Sequence, residues 1–378
     1  MDKVACNRSD PRSLTCAQSA GSDGDEGWRN VGNMKGIRRL AQDLDISIGT
    51  VSRALNGKPD VNEQTRQRVL EAAAAMGYVP NQAGRALRKG ATGVVGFMMQ
   101  TGSQITGEGD VFFMSVFDGV QAVCARHQLD LVALLCSSEE DPDAYLQRVV
   151  ARGFADGLII SATKRHDHRI DYLADRQIPF IALGRSLTDV GHPWLDLDFE
   201  GMADQGVERL VSKGHRRIGI FAPLDDTNLG FIFIDSYRQA LESRGIAFDP
   251  GLIFRAHPNE RGGYEIAQRI AAMPKDQRPT SFVLTNEKMS IGLYRGLHDS
   301  GLEPGRDFAI IGRDSAHAHY LTPKLTCFRL SLRDLGIALA ESLLATMPGF
   351  AADYPLGVVR KVLPLELIDG DSDCPAPL

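Results

Sequence analysis

The most constraining feature of this sequence is a run of short helical periods that begins at Ile37. Apolar side chains recur every three or four residues from Ile37 to Leu44, which is the spacing of one helix face. Asp45 interrupts this helix, because Asp tolerates the left-handed conformation that a tight turn needs. Ser47 then has the position of an N-cap, with Thr50 three residues later. The pattern predicts two short helices joined by a turn.

A third helix is expected after a loop rich in turn-forming residues. The second helix should turn Val51 and Leu55 inward and end near Asn56. The third should open at Asn62, alone or together with Glu63, and end at Gly77. Its predicted buried face consists of Val69, Leu70, Ala73 and Met76. Three helices of this length are enough for a small folded domain.

A helix, a four-residue turn and a capped second helix is the arrangement that sets a helix in the major groove of DNA. Ile48, Gly49 and Arg53 would lie on its exposed face, where base edges are read. Short polar side chains able to reach phosphates are Ser47, Thr50, Asn56, Asn62 and Thr65. The same three-helix pattern also occurs in small cores that bind no nucleic acid, so the helices alone leave that alternative open.

Three ordered motifs carry a resemblance to a known family. They are TVSRALNG at 50–57, TR-x-RV at 65–69 and GYVPN at 77–81. In this order they resemble the DNA-binding headpiece of the LacI/GalR family of bacterial regulators. The resemblance implies double-stranded operator DNA as the partner, and it adds Tyr78 and Asn81 to the expected DNA contacts.

The stretch 81–91 follows these motifs. The resemblance implies a hinge helix that folds only on operator DNA and wedges Leu87 into the minor groove, as apolar wedges do in kinked duplexes. Gly84 suits a segment that melts off DNA, because Gly costs about 1 kcal/mol in a helix interior. The alternative is a basic linker without order of its own.

The charge distribution is uneven. The whole chain carries a net charge of -6, but residues 34–92 contain ten Lys and Arg against five Asp and Glu. A basic head on an acidic body is typical of a DNA-binding module joined to a module with another ligand. Residues 1–33 show no period and are rich in Ser, Gly and Asp, so we expect disorder there. A start at Met34 would give the usual layout of the family.

Composition excludes several classes of protein. No run of 18 apolar residues is present, so no membrane span is expected, and the N-terminus lacks the apolar core of a secretory signal. Six scattered cysteines without a CxxC pair indicate a reduced, cytoplasmic protein without a metal. We expect no cofactor, and operator binding would make the protein nucleoid-associated. The pairs His166-x-His168 and His317-x-His319 lack further ligands at metal-binding spacing and are interpreted as surface loops.

From residue 92 onward, apolar strands alternate with amphipathic helices, which predicts βαβ units and parallel sheets. The pattern occurs twice, so two doubly wound α/β subdomains with a cleft between them are expected. We place them at 92–193 plus 329–350, and at 194–322 plus 355–368. The predicted organisation is an extension at 1–33, a helix-turn-helix domain at 34–80, a hinge at 81–91, an effector-binding and dimerisation domain at 92–368 and a tail at 369–378.

This region resembles the effector-binding core of the same family, which is similar to periplasmic sugar-binding proteins. The matching stretches include IPFIALGR, LVSKGHRRIGI and the IIGRD strand end. The resemblance places Asn286 and Asp314 at strand ends that face the ligand, and we add Arg185 at the same edge and Asp198 at a crossing between the halves. An amide and a carboxylate that hydrogen-bond neighbouring hydroxyls suit a sugar.

One position departs from the family. By the spacing to SYRQAL, the family's ligand-bridging arginine falls on Phe233, which argues against an anionic effector and favours stacking on a sugar face. Phe231, or Phe112 with Phe113, would assist, and Asn228 or Asp235 would supply a polar contact. A shifted register is the alternative, as is a place for Phe231 and Phe233 in the core of a buried strand.

These observations predict a homodimeric transcriptional repressor of carbohydrate uptake or catabolism genes, released from a palindromic operator by a neutral sugar. The alternative within the class is a regulator that needs a purine or another corepressor. A solute-binding protein is disfavoured by the basic headpiece and the missing signal peptide. An enzyme is not expected, because the sequence contains no G-x-S-x-G motif, phosphate-binding loop or paired catalytic carboxylates.

Overall fold

The computed structural model describes residues 36–55, 57–78, 91–101 and 111–377. The described residues belong to two compact units that divide near residue 85. We call the first unit, 36–78, the headpiece, and the second unit, 91–377, the core. The predicted extension at 1–33 and almost all of the predicted hinge lie outside the described residues. In the part of the chain that is described, every helix is too short or too polar to cross a membrane.

The headpiece contains the three predicted helices: α1 Ile37–Asp43, α2 Ile48–Leu55 and α3 Glu63–Ala75. Local chemistry sets their ends as the sequence indicated. Asp45 has a φ of 53° in the turn after α1. The amide of Thr50 donates to Ser47 Oγ at 3.0 Å, which caps α2. The amide of Gln64 donates to Asn62 Oδ1 at 2.8 Å, which caps α3. Gly77, with φ +59°, follows α3 as predicted.

A small apolar cluster holds these helices together. Its buried members are Leu40, Ala41, Val51, Ala54, Val61, Val69 and Ala73. The prediction that Leu70 is buried is wrong, because its side chain is 44% exposed. Leu70 follows Val69 directly, and a step of one residue along a helix turns a side chain by about 100° away from the buried face. Leu55 and Met76 are only partly buried against the cluster.

The core alternates strands and helices, as the sequence predicted. Its helices in the described residues are α4 Val111–Arg126, α5 Pro142–Ala151, α6 His168–Asp175, α7 Phe199–Ser212, α8 Asn228–Glu242, α9 Glu260–Ala272, α10 Glu287–Asp299 and α11 Leu332–Leu344. Its strands are β1 Val94–Gln100, β2 Asp130–Cys136, β3 Gly157–Ile160, β4 Phe180–Leu183, β5 Trp194–Leu197, β6 Ile218–Pro223, β7 Ile253–Ala256, β8 Ser281–Val283, β9 Ala309–Arg313, β10 Thr326–Arg329, β11 Arg360–Leu363 and β12 Glu366–Ile368.

The strands form two six-stranded sheets. The first has the order β11-β5-β4-β3-β1-β2, with parallel pairings throughout. The second has the order β12-β10-β9-β8-β6-β7 and is parallel except that β12 runs antiparallel to β10. We call the parts built on these sheets the first half and the second half. The strand order reverses beside β1 and beside β6, so the expected ligand position is the carboxyl edge at these points.

The predicted boundaries between the halves need correction. β5 lies in the first sheet, although the sequence placed residues from 194 in the second subdomain. The stretch 355–368, which the sequence placed in the second subdomain, is divided between the sheets, because β11 pairs with β5 and β12 with β10. The sequence also gave no strand for β10. A local apolar pattern can predict a short C-terminal strand. It cannot predict which sheet the strand joins, because that depends on tertiary pairing.

The predicted tail after residue 368 is part of the second half. Asp373 is 2% exposed and lies 2.7 Å from Lys213 Nζ. Its Oδ1 accepts a hydrogen bond from Thr326 Oγ1 at 2.6 Å, and its Oδ2 pairs with Arg209. Burial raises the pKa of the Asp373 carboxyl, but the hydrogen bonds from Arg209, Lys213 and Thr326 outweigh it and hold that pKa below its usual range. The segment therefore closes the end of the second sheet.

Candidate functional site

The exposed face of α2 carries the side chains that the sequence assigned to base edges. Ile48 is 45% exposed, and Gly49 and Arg53 are also exposed. Arg53 lies one turn after Gly49, and its Nε is 3.5 Å from Asp60. On this face the apolar side chain of Ile48 can contact thymine methyl groups, and the guanidinium of Arg53 can contact guanine edges in a major groove. Gly49 has no side chain and leaves room for the DNA to approach.

The predicted phosphate contacts surround this helix. Thr50 Oγ1 lies 2.9 Å from Ser47 Oγ, and Asn62 is at the exposed start of α3. Thr65 is partly buried on α3, and Tyr78 is partly buried against the headpiece cluster. Asn56, Asn81 and Leu87 lie outside the described residues.

A cavity of about 200 Å³ lies between the two halves of the core. Its walls come from the carboxyl ends of β3, β4, β5, β6, β8 and β9 and from the first residues of α4, α7, α8 and α10. The lining residues of the first half include Ser161, Ala162, Thr163, Gly184, Arg185 and Asp196, and those of the second half include Pro223, Thr227, Asn286, Glu287, Lys288 and Arg313. An apolar cavity of about 150 Å³ holds a benzene ring, so this one has room for a sugar-sized ring.

Arg185 forms the polar wall of the first half. Its Nε donates to Asp196 Oδ2 at 2.8 Å, and its Nη2 donates to Glu200 Oε2 at 2.8 Å. Burial lowers the pKa of the guanidinium, but the hydrogen bonds that it donates to Glu200 and Asp196 outweigh the effect of burial and hold that pKa above its usual range. These charge-assisted hydrogen bonds therefore fix the guanidinium of Arg185 and the carboxylate of Asp196 in the cavity wall.

The second half supplies a comparable wall. Arg313 Nη1 lies 3.7 Å from Glu287 Oε2, and both side chains are largely buried. The guanidinium of Arg313 also lies over the ring of Phe112, 5.1 Å from its centroid. Asn286 caps α10 through Oδ1, which accepts from the amides of Lys288 at 3.0 Å and Met289 at 3.3 Å. The carboxamide is thereby held at the cavity edge.

Aromatic side chains complete the lining. Phe112 and Phe113 meet edge to face with their centroids 5.1 Å apart, and Phe199 and Phe221 contribute further apolar surface. Such faces contact the apolar C–H face of a sugar, while charged and amide groups bind its hydroxyls. The cavity thus combines both kinds of contact that a sugar ring needs.

Comparison with known proteins identifies the family. The profile of bacterial regulatory proteins of the lacI family matches residues 36–81, and that of the periplasmic binding protein-like domain matches residues 207–372. The HTH-type transcriptional regulator AglR of Rhizobium meliloti (strain 1021) is 31% identical over 347 residues, which cover 90% of this chain and 95% of that protein. The chain belongs to the LacI family. It is a DNA-binding transcriptional regulator and not an enzyme.

Solved structures share the fold of this LacI-family chain. A lac repressor dimer bound to operator and the anti-inducer ONPF has a TM-score of 0.77 at 20% identity and covers 90% of this chain and 99% of its own. A complex of the transcriptional regulator CelR with cellobiose has a TM-score of 0.63 at 23% identity, with coverage of 89% and 99%. At these identities the likeness concerns the fold alone. It agrees with the predicted headpiece followed by a periplasmic-binding-protein-like core.

The structure brings only some of the predicted effector residues to the cavity. Arg185 and Asn286 line it. Asp198 is not among the described lining residues, because its carboxylate turns to the start of α7 and accepts from the amide of Gly201 at 2.8 Å. Asp314 faces a neighbouring cavity of about 30 Å³, and its Oδ1 lies 2.9 Å from His319 Nε2. Their expected places as direct contacts are corrected accordingly.

Asn228 and Phe233 also differ from expectation. Asn228 is 6% exposed and donates through Nδ2 to the carbonyl of Arg185 at 2.8 Å, so it ties the halves together behind the lining. Phe233 is 1% exposed within the main apolar cluster. It lies on the inner face of α8, which begins at Asn228 and continues through the SYRQAL stretch. Because the helix turns Phe233 into the core, it is no stacking platform.

Several cavity residues were missed by the sequence argument. Ser161 and Thr163 follow β3, Asp196 is in β5, and Arg313 ends β9. The signal that could have found Ser161, Thr163 and Arg313 is their position at the carboxyl ends of predicted parallel strands. Asp196 could not be separated from Asp198 in this way, because only the tertiary structure shows which carboxylate caps the helix.

Proposed function

We propose that this regulator is a repressor that binds a pseudo-palindromic operator as a homodimer and is released by a neutral sugar. The observation that carries the proposal is the cavity between the halves, in which charged, amide and aromatic groups converge on a space for one sugar ring. The cellobiose bound to CelR, a protein of the same fold, supports a carbohydrate as the ligand class.

The charges of the lining favour a neutral ligand. The lining has three positive side chains, Arg185, Lys288 and Arg313. Three negative ones match them, because Asp196 and Glu287 also line the cavity and Glu200 pairs with Arg185. A phosphate or carboxylate on the ligand would compete with these carboxylates at close range, whereas a hydroxyl can donate to a carboxylate and accept from a guanidinium. Phe233 is buried in the core, so these charges, and not an aromatic side chain at that position, favour a neutral ligand.

The headpiece provides the other partner. In a dimer, two copies of α2 would enter major grooves about one helical turn apart on a two-fold symmetric site. A sugar that binds between the halves favours one angle between them, and it lowers operator affinity only if that angle disfavours the DNA-bound form. The proposal therefore requires different sugar affinities in the two forms.

Thermal unfolding of the full chain tests the ligand class. The panel contains cellobiose, maltose, raffinose and ribose, with sugar phosphates and purines for comparison. A ligand at 100 times its dissociation constant adds about 2.7 kcal/mol, which shifts the melting temperature by several degrees. The sugar that stabilises the protein should also release a duplex selected by the protein from a random pool.

Matched variants tie the response to the cavity. Arg313→Gln should abolish the sugar-dependent shift, whereas Arg306→Gln, at a surface arginine paired with Asp307, should retain it. A shift with a purine alone, together with tighter DNA binding, would contradict the proposal and favour a corepressor. If no sugar changes either melting or DNA binding, the carbohydrate assignment fails.

A further inference from the structure

Residues 161–167, which connect β3 with α6, contact both the cavity and the opposite half of the core. We call them the coupling segment. Its first three residues, Ser161 to Thr163, line the cavity. Ala162 has a φ of 51° there, a left-handed conformation that costs free energy for a residue with a Cβ. Such strain persists only where the surroundings fix the backbone.

A buried ion pair fixes it from the first half. Asp167 is fully buried and Arg169 is 1% exposed. The guanidinium donates to both carboxylate oxygens, at 2.9 Å from Nε and 2.6 Å from Nη2. Its Nη2 also donates to the carbonyls of Ser161 at 3.1 Å and Ala162 at 3.2 Å. Arg169 thus holds the carbonyl that precedes the strained residue Ala162 and the carbonyl of Ala162 itself.

Backbone hydrogen bonds attach the segment to the second half. The amide of Asn228, the first residue of α8, donates to the carbonyl of Thr163 at 2.9 Å. The amide of Arg165 donates to the carbonyl of Asp226 at 3.2 Å. Lys164 and Thr227 form an antiparallel bridge between these two bonds. Thr163 and Thr227 both line the cavity, so the same short ladder closes its edge.

Side chains reinforce this attachment. The guanidinium of Arg165 lies over the ring of Phe231 on α8, 4.5 Å from its centroid. Lys164 Nζ is 3.7 Å from a carboxylate oxygen of Asp226. Both contacts join the first half to the second without touching the cavity lining of Arg185 or Arg313. The attachment can therefore be weakened without removing a ligand contact.

We propose that the coupling segment determines how far the two halves close, and that Arg165 and Phe231 set the balance between closed and open forms. This inference rests on the proposed function, because it assigns the regulation of the same cavity. The ladder and the cavity are formed by the same arrangement of the two halves, which we call the closed form. By linkage, a weaker attachment favours the open form, raises the sugar concentration needed for release and tightens operator binding without sugar.

The test compares Arg165→Ala with Arg176→Ala in the full chain. Arg176 makes an equivalent contact, 3.8 Å from the centroid of Tyr172, but entirely within the first half. A cation–π contact of this kind corresponds to about a threefold change in an equilibrium. Without any ligand, Arg165→Ala should speed hydrogen exchange in peptides covering 163–167 and 225–231 about threefold, and Arg176→Ala should not. Phe231→Leu should match Arg165→Ala.

Operator binding and sugar release supply the functional readout. For a duplex selected from a random pool, Arg165→Ala should bind more tightly without sugar, and cellobiose or another stabilising sugar of the panel should be needed at a higher concentration. Equal exchange in Arg165→Ala and Arg176→Ala would overturn the inference. Faster exchange with unaltered operator affinity would overturn it as well. If the wild-type chain responds to no sugar, the proposed function is contradicted. The measurements made without sugar would still decide whether the coupling segment controls closure.

Discussion

Replacing Asp167 with Asn should destabilise the core strongly, because it leaves the guanidinium of Arg169 without a counter-charge. Asn keeps an oxygen that can accept from the amide of Arg169, the bond that caps α6 at 3.1 Å. The substitution therefore removes the charge of the carboxylate while it retains the helix cap. Arg169 is 1% exposed and has no access to water for compensation.

The size of the effect follows from this burial. Breaking a buried ion pair by removing one partner costs about 3–5 kcal/mol. Arg169 keeps the carbonyls of Ser161 and Ala162 as acceptors, so we expect about 3 kcal/mol for Asp167→Asn. Asp167→Ala should cost about 1 kcal/mol more, because it also removes the cap. Asp141→Ala is the matched control, because Asp141 caps α5 at an exposed position. This substitution should cost only the contribution of the cap, about 1 kcal/mol.

Urea unfolding of the full chain, followed by tryptophan fluorescence, which includes that of Trp194 in the first sheet, measures these differences. With a slope of about 3 kcal/mol per M, Asp167→Asn should lower the midpoint by about 1 M. A loss no larger than that of Asp141→Ala would refute the reasoning.

The pH dependence gives an independent check on the charge. Burial raises the pKa of Asp167, but the hydrogen bond and charge of Arg169 outweigh it and hold that pKa below its usual range. A carboxyl with a depressed folded-state pKa stabilises the fold above its unfolded pKa of about 3.9 and loses this contribution as the pH falls through the folded value. The difference between wild type and Asp167→Asn should be constant from about pH 7 to pH 5 and shrink below about pH 4.

Two further substitutions test the headpiece and the corrected place of Phe233. Asn62→Ala removes the acceptor for the amide of Gln64 and should destabilise the headpiece by about 1 kcal/mol, measured as faster hydrogen exchange in peptides covering 63–75. Unchanged exchange would contradict the cap. Phe233→Ala should cost about 3–5 kcal/mol of core stability by urea unfolding and leave the order of sugar preference unaltered. A change of sugar preference without a loss of stability would show that Phe233 contacts the ligand.

The elements that the sequence predicted well depend on local chemistry. The caps at Ser47 and Asn62 and the turn at Asp45 need only their immediate neighbours, and the structure contains all three. The strands of the core were visible because both faces of a doubly covered sheet are apolar, as in β6, where all six residues are buried. Local periodicity therefore predicted the fold class and most elements.

The errors concern features that tertiary structure decides. The run NLGFIFID is rich in aromatic and β-branched residues and could be interpreted as a strand. The buried positions Gly230 and Phe233 in this run, together with Tyr237 just after it, nevertheless recur at helical spacing, and the sheet beneath α8 selects the helix. For Asp314 the sequence identified the right strand end but could not show that the carboxylate pairs with His319. It placed Asp198 at a crossing between the halves and could not show that this side chain caps α7.

The division of β11 and β12 between the two sheets has a consequence for synthesis on the ribosome. Each half of the core receives an edge strand from residues 360–368, after every other strand of both sheets has been made. Neither sheet can be completed while this segment is still in the exit tunnel. The headpiece, by contrast, is built from the contiguous residues 36–78 and can fold as soon as they emerge. The DNA-reading unit should therefore be in place well before either half of the core gains its last strand, and both halves should finish folding together.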